Sequence, residues 1–133
     1  MWIVAPLEPA VRIDRDLRLA VAGIIALSSL IVLALGILAF RKAKTTIDPV
    51  RIDLASSVVT HGVFRYTRNP MYVGLTGLLL GWGVLLAAPW GLLGPAAFVL
   101  FINRFQIIPE ERVMASKFGR DYEEYHKRVR RWM

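Results

Sequence analysis

Two short motifs carry the side chains best suited to chemistry, and each lies where an uncharged stretch of the chain meets a charged one. The first motif, residues 68–74, reads Arg68-Asn69-Pro70-Met71-Tyr72-Val73-Gly74. The second motif, Pro109-Glu110-Glu111, follows after a long apolar stretch. A helix that begins at the first motif would offer free N–H groups beside arginine, which suits an anion. The paired carboxylates of the second motif suit a cation or the hydroxyls of a ribose.

Ordinary helix chemistry gives an alternative interpretation of both motifs. Asparagine favours the position before a helix and proline favours its first turn, so Asn69 and Pro70 would simply begin a helix. Acidic residues after Pro109 would lie near the positive end of a helix dipole. Arg68 would then be a positively charged anchor, and Tyr72 would belong to an interfacial aromatic belt.

Arg104 is a third candidate, because it is the only charge within the apolar run 98–108. An ionisable side chain inside a membrane segment is a functional candidate, and Asn103 beside it adds a second polar group. The alternative is an arginine whose charged end reaches the lipid headgroups, since Pro109 follows closely.

Four glycines lie along much of one face of the helix that follows the first motif, at Gly74, Gly77, Gly81 and Gly83. Close packing against another helix is one explanation for this row. A bare surface, on which a flat ligand lies against the backbone, is the other.

The composition is that of a membrane protein with one domain. Of its 133 residues 56% are hydrophobic, and the mean hydropathy is +0.49. There is no cysteine, so disulfides, thiolate metal sites and a cysteine nucleophile are excluded. No spacing typical of a metal site, a serine triad or a Rossmann-type nucleotide site is present. The net charge of +7 does not indicate nucleic-acid binding, because Lys and Arg crowd the edges of apolar segments.

Two long uncharged stretches predict an all-α integral membrane helical bundle with about three transmembrane helices. Residues 19–40 form an uncharged stretch of 22 residues. As a helix this stretch is roughly 33 Å long, enough to cross a bilayer. Residues 71–103 are also uncharged, but a single helix of about 50 Å would exceed an ordinary bilayer. Proline and glycine cluster in the middle of this stretch, so we predict a helical hairpin over residues 70–108.

The last segment, residues 109–133, has the periodicity of an amphipathic helix. Its apolar positions recur every three or four residues, at Met114, Phe118, Tyr122, Tyr125, Val129 and Trp132. Gly119 is expected to bend or break this helix. We predict that it lies on the membrane surface or packs back on the bundle, within one domain of residues 1–133.

The distribution of positive charge predicts the orientation of the chain. Lys and Arg number three before the first span, six in residues 41–70, none in the hairpin turn and eight from Arg104 onward. Three spans would put the 41–70 loop and the C-terminal segment on one side, which the positive-inside rule makes cytoplasmic. We therefore expect a protein of the cell inner membrane whose two motifs lie close together at its cytoplasmic face.

These motifs, in this order, resemble the isoprenylcysteine carboxyl methyltransferase family, which is grouped with membrane phospholipid N-methyltransferases. The resemblance covers about residues 45–132. It is carried by residues 62–74, by the Pro109-Glu110-Glu111 motif after one apolar hairpin, and by residues 118–125 with their Phe-Gly and paired tyrosines. The resemblance implies a membrane-embedded enzyme that uses S-adenosylmethionine. It also implies a cofactor pocket formed by the start of the hairpin's first helix, the hairpin itself and the C-terminal segment.

The resemblance and the chemistry of the residues themselves together give a set of expected site residues. Those expected to bind the cofactor are Tyr66, Asn69, Pro70, Tyr72, Gly74, Glu110, Glu111, Tyr122 and Tyr125. Arg68 and Arg104 are expected to act in catalysis by holding the cofactor carboxylate or an anionic acceptor. No residue is assigned to a metal.

Two departures from the family bear on the acceptor and on the number of spans. Members that modify prenylcysteine usually have histidine where this chain has Asn69, so a prenylcysteine acceptor does not follow. Many members have another apolar span near the N-terminus, for which residues 1–18 are too short and too charged. We expect a lipophilic or amphiphilic acceptor within the membrane lipid, and a carboxylate acceptor would need no general base. A homodimer would complete a bundle that three spans leave thin.

Two other classes of protein fit parts of the pattern. A small transporter fits the hairpin less well, because proton-coupled transporters usually carry an intramembrane carboxylate and no charge precedes Arg104 here. A structural membrane adaptor would use its basic tail to bind anionic lipid, and would bind no cofactor.

Overall fold

The computed structural model describes residues 13–43, 57–87 and 89–133. Within these ranges the chain is helical, with no strand, which confirms the all-α prediction. The α-helices are α1 (Arg15–Lys42), α2 (Pro70–Leu86), α3 (Leu93–Ile102), α4 (Ile108–Phe118) and α5 (Arg120–Arg128). The charged N-terminal segment before Ile13 and residues 44–56 of the 41–70 loop lie outside the described residues.

Helix α1 contains the predicted first span and extends beyond it at both ends. The carboxylate of Asp14 accepts hydrogen bonds from the backbone N–H groups of Asp16 and Leu17, each at 3.1 Å, so the helix begins with a side-chain cap. Arg41 and Lys42 occupy the last turn, near the negative end of the helix dipole. Most of the large apolar side chains of α1 face outward, as expected for contact with lipid.

Helices α1 and α2 pack closely along the glycine row. A Cβ at Gly74 would lie 2.9 Å from the carbonyl oxygen of Ser29 and 3.0 Å from Leu33 Cβ. A Cβ at Gly77 would overlap the Ser29 hydroxyl, and one at Gly81 would come within 3.4 Å of the Ala22 carbonyl. These three glycines therefore allow the two helices to approach, which is the packing explanation of the row.

The predicted hairpin turns at Ala87, whose φ of 51° is left-handed, and at a short 3-10 helix over Pro89–Leu92. Its second arm does not end at Ile108, because residues Trp90–Phe118 form one continuous helix of 29 residues. A π-helical turn, Asn103–Ile107, joins α3 to α4 just before Pro109. Proline lacks an N–H group, and a local π turn is one way in which a membrane helix accommodates it.

Among the described residues, two helices, α1 and the helix of Trp90–Phe118, are long and apolar enough to cross a membrane, and α2 is a shorter apolar helix of 17 residues. Together they form the predicted membrane bundle. The expected break at Gly119 is confirmed, because α4 ends just before this residue, whose φ of 55° and ψ of −122° favour glycine. Helix α5 follows and ends at Arg128, and Val129 has an extended backbone conformation.

A small core at the charged end of the bundle holds α5 against the end of α1. The buried residues of this core are Ala39, Val59, Phe64, Tyr122 and Tyr125. The rings of Phe40 and Phe64 meet edge to face, with centroids 5.1 Å apart. The Tyr125 hydroxyl donates a hydrogen bond of 2.8 Å to the buried Phe64 carbonyl. This core fixes the segment before α2 relative to α5, and therefore positions the first motif.

Candidate functional site

The two motifs meet at the start of α2. The Tyr72 hydroxyl, in the first turn of α2, donates a hydrogen bond of 2.8 Å to Oε1 of Glu110 in α4. The Gln106 amide, four residues before Glu110, donates a second hydrogen bond of 2.7 Å to the same oxygen. Glu110 is half-buried, and both of its donors are neutral.

Glu111, the next residue, has quite different partners. Its Oε1 lies 2.9 Å from Nη1 of Arg68. It also forms a bidentate pair with Arg131, with Nη2 at 2.7 Å from Oε2 and Nε at 3.1 Å from Oε1. The Arg68 and Glu111 side chains are only 8% and 14% exposed, whereas Arg131 is 34% exposed. Glu111 is thus neutralised by two guanidinium groups.

The first motif is also tied to the extended tail of residues 129–133. The Arg68 N–H donates to the Arg130 carbonyl at 2.9 Å. The Thr67 hydroxyl and the Asn69 amide both donate to the Arg131 carbonyl, at 3.1 and 3.0 Å. The Asn69 side chain therefore bonds the tail, and makes no hydrogen bond that caps α2. Pro70 takes the first helical position, as the helix interpretation expected.

The tail has one further anchor, on the π-helical turn. The Trp132 indole N–H donates a hydrogen bond of 3.2 Å to Oδ1 of Asn103. The tail therefore contacts the segment before α2 and α4, which both carry motif residues, and also the π turn that precedes the second motif.

Two buried tyrosines lie beneath the ion-paired cluster. Burial raises the pKa of Tyr122, the nearby Glu111 carboxylate raises it further, and Arg68 and Arg131 oppose both effects. Burial is also the main cause of the raised pKa of Tyr125. Both phenols therefore stay protonated well into the alkaline range. The pKa of Arg131 is raised chiefly by its hydrogen bond to Glu111, so its charge is permanent.

A cleft of about 470 Å³ lies beside Glu111, between α4, α5 and the tail. Its walls include Glu111, Tyr122 and Arg131, together with the cationic side chains of Arg112 and Lys127. The volume lies within the range of small-molecule sites, roughly 300–1,000 Å³. Tyr72 and Glu110 do not line this cleft, so the residues assigned to the cofactor fall on two sides of α4.

Several of the predicted site residues lie apart from the carboxylates. The guanidinium of Arg104 lies over the ring of Phe105, 5.9 Å from its centroid, on an exposed part of the helix. Tyr66 is 74% exposed. Gly74 faces Ser29 and Leu33 of α1, and Pro70 is fully buried. Their assigned roles stay predictions, whereas contacts join Tyr72 to Glu110 and Arg68 to Glu111.

Three contributors were not predicted: Gln106, Arg131 and Thr67. Gln106 could have been found from its place four residues before Glu110, because residues at that spacing share a helix face. The tail contacts had no such signal, since Arg131 follows Arg128 and Arg130 in a run of positive charge and the helical periodicity continues to Trp132.

The donor set fits a ligand that carries both charges. No cationic side chain pairs with Glu110 among the described residues, so this half-buried carboxylate suits a ligand ammonium group or hydroxyl. Nε of Arg68, in the first motif, is buried and has no hydrogen-bond partner among the described residues. Nη1 of Arg68 lies close to Glu111 but off the direction that a hydrogen bond requires, so that contact is an ion pair only. An amino acid group, with ammonium and carboxylate, has this combination of charges.

A family model described as phospholipid methyltransferase matches residues 17–121. This match spans both motifs, all three apolar helices and the start of α5. The chain therefore belongs to the phospholipid methyltransferase family, and the prediction of a methyltransferase is confirmed at the level of the family.

Several curated proteins are similar to this chain. An uncharacterized protein of Haemophilus influenzae is 44% identical over 63 residues, which are 47% of this chain and all of that protein. A probable protein-S-isoprenylcysteine O-methyltransferase of Oryza sativa subsp. indica is 34% identical over 91 residues, 66% of this chain and 46% of that protein. The protein-S-isoprenylcysteine O-methyltransferase of Schizosaccharomyces pombe is 36% identical over 75 residues, 54% of this chain and 30% of that protein.

These relatives confirm the resemblance to isoprenylcysteine methyltransferases. The chain spans less than half the length of these two methyltransferases. No solved structure matches the chain.

Proposed function

We propose that this protein is an integral membrane methyltransferase that takes a methyl group from S-adenosylmethionine and transfers it to a lipophilic acceptor. The observation that supports this most directly is Glu110, a half-buried carboxylate with two neutral donors and no cationic partner among the described residues. A carboxylate in this state suits the ammonium group of a zwitterionic cofactor. Membership of the family supplies the reaction type.

Each residue of the cluster has a proposed part in binding. Glu110 would accept hydrogen bonds from the ammonium group or the ribose hydroxyls of the cofactor. Tyr72 would hold Glu110 and contact the cofactor with its ring. Arg68 would hold the cofactor carboxylate or an anionic acceptor through its buried Nε.

S-adenosylmethionine, when bound, supplies a sulfonium methyl group that an aligned nucleophile can displace. The chain must hold the acceptor atom about 3–3.5 Å from that methyl group and keep water away. A carboxylate acceptor is already ionised and would need no general base. A carboxylate oxygen is therefore the acceptor that this proposal favours, and His126, which lines the cleft beside Glu111, is not required as a base.

The acceptor is proposed to be lipophilic because the site lies at one end of an apolar bundle. Helix α1 exposes large apolar side chains along its length, so the bundle suits a lipid environment. An acceptor with an apolar tail could reach the site from the bilayer while the cofactor enters from water. We assign the 41–70 loop and the C-terminal segment to the cytoplasmic side of the inner membrane. A homodimer is part of the same proposal.

The test is S-adenosylmethionine binding to the purified protein in detergent and in lipid nanodiscs, measured by calorimetry with S-adenosylhomocysteine as a second ligand. We expect micromolar affinity that falls at least tenfold in Glu110→Gln, because a charge-assisted hydrogen bond is lost. Glu124→Gln is the matched control, since Glu124 is an exposed glutamate on α5. If neither ligand binds in either medium, the proposal is wrong and the adaptor or transporter class replaces it.

A further inference from the structure

The π-helical turn gives two adjacent glutamates different neighbours. In a regular helix residues seven apart share a face, so Asn103 would lie on the same side as Glu110. The π turn inserts one extra residue, so the residue that shares a face with Asn103 is the one eight positions on, which is Glu111. The contacts agree, because Asn103 bonds Trp132 of the tail and Glu111 bonds Arg131 of the tail.

Glu110 is thereby turned away from the tail and toward α2. Gln106 lies one helical turn before it and on the same face, and its amide donates to Oε1 at 2.7 Å. Tyr72 donates to that same oxygen from α2 at 2.8 Å. Two donors on one oxygen fix the carboxylate in one orientation, and its second oxygen has no described partner within the protein.

We propose that Gln106 is a positioning residue for the cofactor, and that it acts through Glu110. This inference rests on the proposed function. Gln106 and Tyr72 hold Oε1, so that Oε2 accepts the ammonium group of the amino acid part of S-adenosylmethionine. Gln106 therefore sets the affinity for that part of the ligand and contributes little to the affinity for the adenosine part.

Two ligands separate these parts. S-adenosylmethionine carries the amino acid group, and methylthioadenosine contains the adenosine and sulfur without it. Gln106→Met keeps the length and volume of the side chain and removes its hydrogen-bond donor. We expect this variant to bind S-adenosylmethionine about tenfold more weakly, the scale of one hydrogen bond to a charged group. Its affinity for methylthioadenosine should stay within about twofold of the parent value.

A double-mutant cycle tests whether the effect passes through Glu110. In a Glu110→Gln background, Gln106→Met should cause no further loss of S-adenosylmethionine affinity, because the carboxylate that it positions is gone. Tyr72→Phe removes the other donor to Oε1 and should show the same selectivity between the two ligands. It serves as the second variant if Gln106→Met fails to fold.

The outcomes distinguish this inference from the proposed function. If the parent protein binds neither ligand, the proposed function is wrong and this inference falls with it. If the parent binds both ligands but Gln106→Met and Tyr72→Phe bind S-adenosylmethionine normally, only the positioning role is wrong. An equal loss of affinity for both ligands would mean either that Glu110 binds the ribose hydroxyls or that Gln106 has a structural role, and both results would overturn the inference.

Discussion

Replacing each glutamate of the pair by glutamine should separate stability from ligand binding. Glu111→Gln removes the charge that Arg68 faces, and Arg68 is only 8% exposed. Breaking a buried ion pair from one side costs about 3–5 kcal/mol, because the remaining charge stays buried without its partner. We take the lower end, about 3 kcal/mol, since Arg131 exposes a third of its side chain and allows water to approach.

Glu110→Gln should behave differently. The glutamine carbonyl can still accept the hydrogen bonds from Tyr72 and Gln106, and no cationic partner among the described residues is left unpaired. We expect the free energy of unfolding to change by less than about 1 kcal/mol. The same variant is the one expected to lose S-adenosylmethionine affinity.

Thermal and denaturant unfolding in detergent, followed by tryptophan fluorescence, would measure both effects, since the chain has four tryptophans. Glu111→Gln should lower Tm by several degrees and Glu110→Gln by much less. Arg131→Gln should lower the free energy of unfolding by about 1 kcal/mol. The effect is small because the pair of Arg131 with Glu111 is partly exposed and Arg68 keeps its own pairing with Glu111. Adding Arg131→Gln to Glu111→Gln should cost little more.

Two results would refute this reasoning. One is a Glu110→Gln variant that unfolds as easily as Glu111→Gln, since the pair would then share one structural role. The other is a Glu111→Gln variant of parental stability, since the pairing of Arg68 with Glu111 would then contribute nothing.

Two further predictions concern the elements that position the site. Gly74→Ala should destabilise the bundle by about 1–3 kcal/mol, because its Cβ would meet the Ser29 backbone. The control is Gly23→Ala, whose Cβ would meet nothing within 4 Å and which should be neutral or stabilising in the same unfolding assay. Equal stability of the two variants would contradict the packing argument. Tyr125→Phe should cost about 1–2 kcal/mol at neutral pH, because the buried Phe64 carbonyl loses its donor. The raised pKa of Tyr125 means that its stabilisation is complete below the ordinary value of 10 and falls as pH rises above it. The free energy of unfolding, measured from pH 8 to 11, should therefore fall less steeply with pH in Tyr125→Phe than in the parent. Parallel profiles would contradict the raised pKa of Tyr125.

The meeting of the two motifs was predictable from the sequence, because it follows from charge and length. Two apolar arms joined by a short turn bring their polar ends to one side, and the contact of Tyr72 with Glu110 is the direct result. The ligand-binding roles of Glu110 and Arg68 do not follow from these contacts, and they stay predictions.

The separate environments of Glu110 and Glu111 were not predictable, because they depend on one extra residue in a helical turn. The apolar pattern around Asn103 is compatible with regular α-helix and with a π turn, so it gives no register. The tail was misjudged for a similar reason. The break at Gly119 was expected, but the apolar residues of the last segment keep helical spacing up to Trp132 whereas the chain leaves the helix at Val129. The hydrogen bond from Trp132 to Asn103 holds the tail against the π turn, where a continuous helix would have directed Trp132 elsewhere.

The hydrogen bonds between residues 67–69 and the backbone of Arg130 and Arg131 also constrain the order of assembly. They join segments more than sixty residues apart, with the whole apolar hairpin between them. During synthesis, the start of α2 must therefore wait until the hairpin has entered the bilayer and α5 has been made. A nascent or truncated chain that stops before Arg130 would contain both glutamates, but Glu111 would lack its Arg131 partner and residues 67–69 would lack their bonds to the tail. Completion of the site thus coincides with completion of membrane insertion.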